Sequence, residues 1–309
     1  MNAISLTNRS TGGRRRARAT ARVLAILAVG ALALSACGGS DGSTADVADS
    51  PKFESGSTMA KLADAGKVTI GTKFDQPGFG LKGLDGKPEG FDVEVAKSIA
   101  AKLGISADSI TWKETPSAIR EEVIEKGEVD FVVATYTIND KRKQRITFAG
   151  PYYEAGQMIM VKSDNSTITG PDTLKSQPDA KVCSVAGSTP AENILKYLAS
   201  PGQLVTFDVY SKCADALRTG QVAAVTTDNV ILLGLVGKSE GAFKVVGDTF
   251  TKEPYGIGIK KGDTAFCTFI NDTLKASAAD GSYEKAWTST AGTVEGSTVP
   301  TLPTADACA

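Results

Sequence analysis

The chain is predicted to be an α/β protein of two lobes, each a mainly parallel sheet flanked by helices. Two patterns predict this. From Lys67 to Val133, short apolar runs of strand length alternate with helix-length segments, the order that parallel sheets with covering helices require. Further along, one plan occurs twice. Residues 123–130 and 216–223 each hold a helix end, a glycine able to close it (Gly127, Gly220) and the start of an apolar strand. These strands finish in hydroxyls, at Thr135 and at Thr226-Thr227-Asp228. In open α/β sheets ligands lie beyond the carboxyl ends of the strands, so both endings are expected to face one cleft.

Among 309 residues, the first segment reads as a targeting signal. Six arginines (Arg9, Arg14, Arg15, Arg16, Arg18 and Arg22) precede an uncharged apolar run from Val23 to Ala36. That run is too short for a comfortable membrane span and has the length of a signal core. It ends Leu34-Ser35-Ala36-Cys37, which resembles a bacterial lipobox. Residues 1–36 are then a signal peptide, and Cys37 carries the lipid anchor; the other reading is an ordinary signal peptide with Cys37 incidental. Paired acyl chains give lasting attachment where one is marginal. Residues 37–56, rich in Gly, Ser, Asp and Ala, read as a flexible tether. Arg15-Arg16 is a weak twin-arginine signal, so Sec and Tat export both stay open.

The folded body begins with a helix near Ser57–Leu62, closed by Gly66, and a strand over 67–72. The loop Lys73-Phe74-Asp75-Gln76-Pro77-Gly78-Phe79-Gly80 is made irregular by its glycines and proline. Asp92 is the expected N-cap of a helix running to Gly104. A strand near 110–113 and a helix over 117–126 follow, the latter between Pro116 and Gly127. In the second lobe, residues 182–185 read as a strand. Thr189 is the expected N-cap of the next helix, with Pro190 at its first and Glu192 at its third position. The chain returns to the first lobe near residues 253–259 and ends with helices at about 263–279 and 283–289. The tail after Gly292 is expected to be pinned only by Cys308. The lobes are thus 57–154 with 252–309, and 155–251.

Removing residues 1–36 takes six of 34 cations and none of 35 acids, moving the formal charge from −1 to −7. A mildly acidic body argues against nucleic acid or an anionic membrane surface as partner. There is no histidine, which removes Ser-His-Asp chemistry, histidine metal sites and a histidine proton switch. Four cysteines besides Cys37 imply two disulfides of three possible pairings. Cys183–Cys213 with Cys267–Cys308 keeps each bridge within one lobe. A metal site is the poorer reading, because no two cysteines have the close spacing zinc uses. No cofactor is expected.

Arg142 is the residue that most invites a ligand. Asn139 stands where a helix N-cap would, so Arg142 falls in the first turn, where the macrodipole disfavours a cation. Beside the hydroxyls of Thr135 and Thr137, such an arginine is arranged to hold a carboxylate. The alternative is a surface arginine in a basic run with Lys141, Lys143 and Arg145. Arg120 has the same placement, its alternative being an ion pair with Glu121 or Glu125.

Several ordered motifs over residues 57–290 give the chain its resemblance to the polar amino-acid family of substrate-binding proteins that serve ABC importers. They are Gly90-Phe91-Asp92, Gly127 through Val133, Asp140 through Arg145 leading to Phe148, and Pro151-Tyr152-Tyr153. After these come Gly187-Ser188-Thr189, Thr227-Asp228 and Tyr255-Gly256-Ile257-Gly258. Within that family it is most similar to actinobacterial glutamate-binding lipoproteins, notably at Thr72 through Gly78. The resemblance implies a two-lobed, type II periplasmic-binding-protein-like fold and no catalysis. It assigns Arg142, Thr137 and Thr189 to a ligand α-carboxylate, with Ser188 beside them. Asp228 and Thr135 fall to the α-ammonium, Arg120 and Lys73 to a side-chain carboxylate. Phe91 becomes an apolar wall, with Phe74 or Phe79 as further candidates. Gln76 departs from family members that have an aromatic there, which suits a charged ligand side chain.

Three cations and one anion match glutamate better than glutamine, though aspartate, glutamine and asparagine stay open. The expected mechanism is hinge closure at crossovers near residues 153–156 and 251–253, followed by docking on a membrane permease as a monomer. Two rivals keep the fold and change the role: a sensor presenting ligand occupancy to a signalling partner, and a dehydratase-like enzyme with Glu154 as its acid.

Overall fold

The computed structural model describes residues 46–308; the expected signal peptide, 1–36, and Cys37 lie outside the described residues. In chain order the elements are α1 (Thr58–Ala65), β1 (Val68–Thr72), β2 (Asp75–Gln76), β3 (Gly80–Lys82), β4 (Pro88–Glu89), α2 (Phe91–Lys102) and β5 (Ile110–Glu114). Next come α3 (Arg120–Glu125), β6 (Phe131–Val132), α4 (Asp140–Lys143), β7 (Thr147–Ala155), β8 (Gln157–Lys162), β9 (Val182–Val185) and α5 (Thr189–Asn193). The remainder are β10 (Leu204–Phe207), α6 (Tyr210–Thr219), β11 (Ala224–Asp228), α7 (Asn229–Gly237), β12 (Phe243–Val246), β13 (Glu253–Ile259), α8 (Thr264–Ala279) and α9 (Ser282–Thr288).

Two five-stranded sheets result, ordered β5-β1-β6-β13-β7 and β10-β9-β11-β8-β12. The parallel core that the alternation predicts is present in both: β5, β1 and β6 in the first, β10, β9 and β11 in the second. To each core two strands are added in antiparallel pairings, so each sheet is mixed: four strands run one way, and β13 or β8 runs against them. The cause is the double crossing. The chain leaves the first sheet at Ala155, enters the second at Gln157, and returns between Val246 and Glu253, so the strand entered after each crossing, β8 or β13, runs against its core.

The large core cluster includes an aromatic group. Phe91 touches the rings of Phe79, Tyr152, Tyr153, Tyr283 and Trp287, and Tyr153 stacks on Trp287 at 5.2 Å. Both expected bridges are present, Cys183–Cys213 and Cys267–Cys308. Gly66 and Gly220 close α1 and α6 in the left-handed conformation, as their positions predict.

Four local expectations are corrected. The N-cap of α5 is Ser188, whose Oγ accepts from Ala191 N; Thr189 is the first helical residue, so Glu192 is one place too late for a capping box. Gly90, at φ 128°, precedes α2, and Asp92 points inward. Gly90 is required there: a Cβ would lie 2.3 Å from the Phe79 backbone. Part of the expected tether 37–56 packs on the body: Ala48 N donates to Ala101 O at 2.9 Å and Phe53 packs edge-on to Phe269. The tail is held by more than Cys308: Asp306 N donates to Gly150 O at 2.7 Å, and Lys143 pairs with Asp306 at 3.2 Å. Among the described residues, no helix is long and apolar enough to cross a membrane.

Candidate functional site

Three cations are buried at the carboxyl edge of the first sheet. Lys73 follows β1, is 2% exposed, and donates to Ser117 Oγ at 2.9 Å. Burial first, then the Arg120 charge, push its ammonium down to about 7. Arg120 opens α3, also 2% exposed, with Nη1 donating to Ala134 O at 2.8 Å. Burial and the Arg142 charge lower its guanidinium to about 10. It pairs with neither Glu121 nor Glu125: the first lies 3.1 Å from Arg142 Nε and the second is taken by Arg145.

Arg142 departs from its basic run. Lys141, Lys143 and Arg145 are exposed, whereas Arg142 is buried. Asn139 caps α4 through Arg142 N, as expected, and turns the arginine inward. Its Nη1 donates to Thr137 O at 2.7 Å and its Nη2 to Gly187 O at 3.0 Å, the latter on the second lobe. Tyr136 underlies both arginines, its ring centroid 4.0 Å from the Arg120 guanidinium and 5.1 Å from that of Arg142.

The hydroxyl residues are held by buried acids. Thr135 has φ 43°, a conformation that costs a non-glycine residue on the order of 1–3 kcal/mol. Asp92 fixes it, Oδ2 accepting from Thr135 N at 2.7 Å while Oδ1 accepts from Tyr152 OH at 2.5 Å. Burial pushes the Asp92 carboxyl up to about 7 despite these two donors. Thr137 and Thr189 bring their hydroxyls within 3.2 Å, and Thr189 donates to Glu253 Oε2 at 2.7 Å. Ser188 spends its hydroxyl oxygen on the α5 cap.

Asp228 ends β11 in the second lobe and is 3% exposed. Oδ2 accepts from Tyr255 OH at 2.6 Å; Oδ1 is buried with no partner among the described residues. Burial first, and the neighbouring Glu253 charge second, raise its carboxyl to about 7. Arg120 Nε and Gln76 Nε2 are likewise buried without partners. Buried groups of this kind cost stability unless something pairs them.

The proposed site residues thus fall into two groups. Lys73, Arg120, Thr135, Thr137 and Arg142 belong to the first lobe and Ser188, Thr189 and Asp228 to the second; Thr189 reaches Thr137 directly, and Asp228 reaches Tyr255 of β13. Phe91 is enclosed by rings, where it backs Tyr152, the donor to Asp92. The sequence reading missed Asp92 as a site residue, along with Tyr136, Tyr255, Glu121 and Glu253. In the sequence Asp92 reads as a helix cap and Glu121 as an ion-pair partner of Arg120, and nothing local assigns Tyr136, Tyr255 or Glu253 to a ligand.

The sequence pattern of bacterial extracellular solute-binding proteins, family 3, matches residues 68–289. The glutamate-binding protein of Corynebacterium efficiens is 42% identical over 285 residues, covering 89% of this chain and 90% of its own. A Bacillus subtilis ABC transporter glutamine-binding protein is 36% identical over 265 residues, covering 85% and 94%. Among solved structures, an ancestral arginine-binding protein bound to arginine is 36% identical, with a TM-score of 0.67 over 72% of this chain and 97% of that one. A match that runs through both lobes, on a fold that buries charges of both signs between them, places this chain among the bacterial extracellular solute-binding proteins of family 3.

Proposed function

We propose that the protein captures an acidic amino acid, glutamate before aspartate, glutamine or asparagine, by closing its lobes on the ligand, and hands it to an ABC importer. The supporting observation is the charge set: Lys73, Arg120 and Arg142 buried on one lobe, and Asp228 buried on the other with Oδ1 unpartnered. Arg142 takes the α-carboxylate with Thr137 and Thr189. Asp228, with Thr135, takes the ammonium. Arg120 and Lys73 take the side-chain carboxylate, and the amide of Gln76 replaces an aromatic wall. Pairing every charge matters because an unmatched buried charge costs several kcal/mol. Glutamine would offer Arg120 and Lys73 only a carbonyl oxygen.

The lobes are residues 57–154 with 252–309, and 155–251. They turn about Gly156 and the stretch before Glu253. Cys37 tethers the protein to the outer face of the membrane by lipid, and the closed form meets the permease as a monomer. Glu154, the acid on which a dehydratase-like reaction would draw, is solvent-exposed, which favours binding over catalysis. Calorimetry against glutamate, aspartate, glutamine and asparagine, repeated with Arg120→Met, tests the reading. Glutamate is expected to bind tightest, near 1 μM (about −8 kcal/mol), and the variant to lose its preference over glutamine. Equal binding of both by the unaltered protein would remove the side-chain assignment.

A further inference from the structure

The register of the two sheets sets two acids on either side of one hinge. Asp228 pairs with Gln157, the first residue after the crossing, and Glu253 pairs with Ala155, the last residue before it. Gly156 between them donates to Asn229 Oδ1 and accepts from Asn229 N at 2.8 Å, so the end of β11 is fastened to the crossing itself. Glu253 is 2% exposed. Its partners are all uncharged: Thr189 Oγ1 at 2.7 Å, Thr251 Oγ1 at 2.9 Å and Asn193 Nδ2 at 3.0 Å. Among the described residues no lysine or arginine lies within ion-pair distance of it. Two residues further along β13, Tyr255 donates to Asp228.

Two acids share a buried corner, then, and neutral donors satisfy only part of it. A buried carboxylate whose partners are all neutral keeps its field, and that field reaches whatever Asp228 binds. We propose that Glu253 is a specificity-determining residue that makes the Asp228 subsite select ligands bearing a positively charged amine, and reject otherwise identical carboxylates. The inference rests on the amino-acid reading above and adds the residue that enforces the amine. The groups facing Asp228 are Tyr255 and Glu253 from β13, Tyr153 from β7, Tyr210 from α6, Arg120 from α3 and Arg142 from α4. The two arginines favour anions, so without Glu253 the corner would tolerate a desamino ligand far better.

The test pairs each amino acid with its desamino analogue, glutamate with glutarate and glutamine with glutaramate. Calorimetry is run at pH 8, above the value to which Asp228 is raised. In the unaltered protein the amino acid is expected to win. Glu253→Gln removes the charge while keeping one acceptor oxygen for Asn193 and Thr251; its Nε2 replaces the oxygen that accepts from Thr189. It should narrow that ratio by about tenfold, the worth of one pKa unit, with the desamino ligand bound as well as before or better. Glu253→Asp should restore most of the ratio, which a purely structural hinge role would not. If Glu253→Gln weakens both members of a pair equally, the inference is overturned and the amino-acid reading stands. If the unaltered protein binds neither amino acid, both are overturned.

Discussion

Asp75 of β2 caps a helix in the other lobe: its Oδ2 accepts from the backbone N–H of Tyr210 at 2.6 Å and of Ser211 at 3.3 Å. These open α6, whose own N-cap, Val209, offers no side-chain acceptor. The carboxylate meets unpaired donors and the positive end of the helix dipole together. It can do so only while the lobes are closed; of the proposed ligand residues its charge also reaches Lys73. Asp75→Ala is therefore expected to weaken both glutamate and glutamine by about fivefold, the worth of one helix cap, with glutamate weakened the less because Lys73 loses a competing anion. Calorimetry with both ligands checks this; unchanged affinity for both would remove the cap from closure.

Gly234 makes the complementary case. It lies inside α7, yet a Cβ there would sit 2.4 Å from the carbonyl oxygen of Pro77, on the first lobe. Gly234→Ala should improve the helix by about 1 kcal/mol while holding the lobes apart. The ligand-free protein is expected to melt no lower than before, and glutamate binding to fall at least about tenfold, a cost of roughly 1.4 kcal/mol in closure. Unchanged affinity would mean that the Pro77 loop yields.

How far the sequence reached is explained by range. Asn139 as a cap, Gly66 and Gly220 as helix closures and the inward turn of Arg142 depend on neighbours within one turn, and a sequence carries that information directly. Asp92 looked like a cap because it follows Gly90 by two residues. Its true partners, Thr135 and Tyr152, lie 43 and 60 residues away. Glu253 and Thr189 are 64 residues apart, and Tyr136 gathers its two arginines from opposite sides in sequence. Ser188 and Thr189 are both competent caps. Gly187, at φ 74° and with a would-be Cβ 2.7 Å from the Ala118 backbone, sets the register between them, a contact across the lobes that no local rule contains.

Buried charge also sets the pH profile of the ligand-free protein. Asp92 and Asp228 rise from 3.8 to about 7, chiefly by burial, so folding holds protons that the unfolded chain releases; their contribution declines as pH climbs from 4 to 7. Lys73 falls from 10.5 to about 7, also by burial, so its penalty is full below 7 and fades as pH rises toward 10. These groups together give least stability near neutrality, where a ligand that pairs them has most to add. Asp228→Asn should gain on the unaltered protein between pH 4 and 7, by up to a few kcal/mol. Lys73→Met should lead at pH 6 and lose its lead between 7 and 10. Thermal melts across pH 4–10 report both, and gaps that stay flat with pH would count against these shifts.

The two disulfides should differ in consequence. They span 30 and 41 residues, so each restrains the unfolded chain by about 3–4 kcal/mol in the entropy model. Cys183–Cys213 ties β9 to α6, inside the second lobe's core. Cys267–Cys308 fastens only the tail to α8. Serine pairs at the first bridge should lower both Tm and ligand affinity, since α6 carries the surface that Asp75 caps. At the second they should lower Tm and leave affinity unchanged, with protease cutting after residue 290 as the local sign. A loss of affinity at the second bridge would assign the tail a share in closure.

Tyr136 is 0% exposed and presents one ring to two guanidiniums, with Phe148 edge-on to it at 4.9 Å. Two buried cations 4.0 and 5.1 Å from one centroid repel each other, and the ring's negative faces offset part of that repulsion while fixing both heads in place. Tyr136→Phe retains the ring and should bind glutamate within about threefold of the unaltered protein. Tyr136→Leu removes the ring and leaves space, which costs about 1–3 kcal/mol in stability. It also frees both arginines from their common support, so glutamate affinity should fall by about tenfold or more, one cation–π contact being worth roughly 0.5–2 kcal/mol when desolvated. Melting and calorimetry on the pair separate the effects. Should the leucine variant lose stability but bind as before, Arg120 and Arg142 are held by Glu121 and by the carbonyls of Ala134, Thr135, Thr137 and Gly187, and the ring is only core.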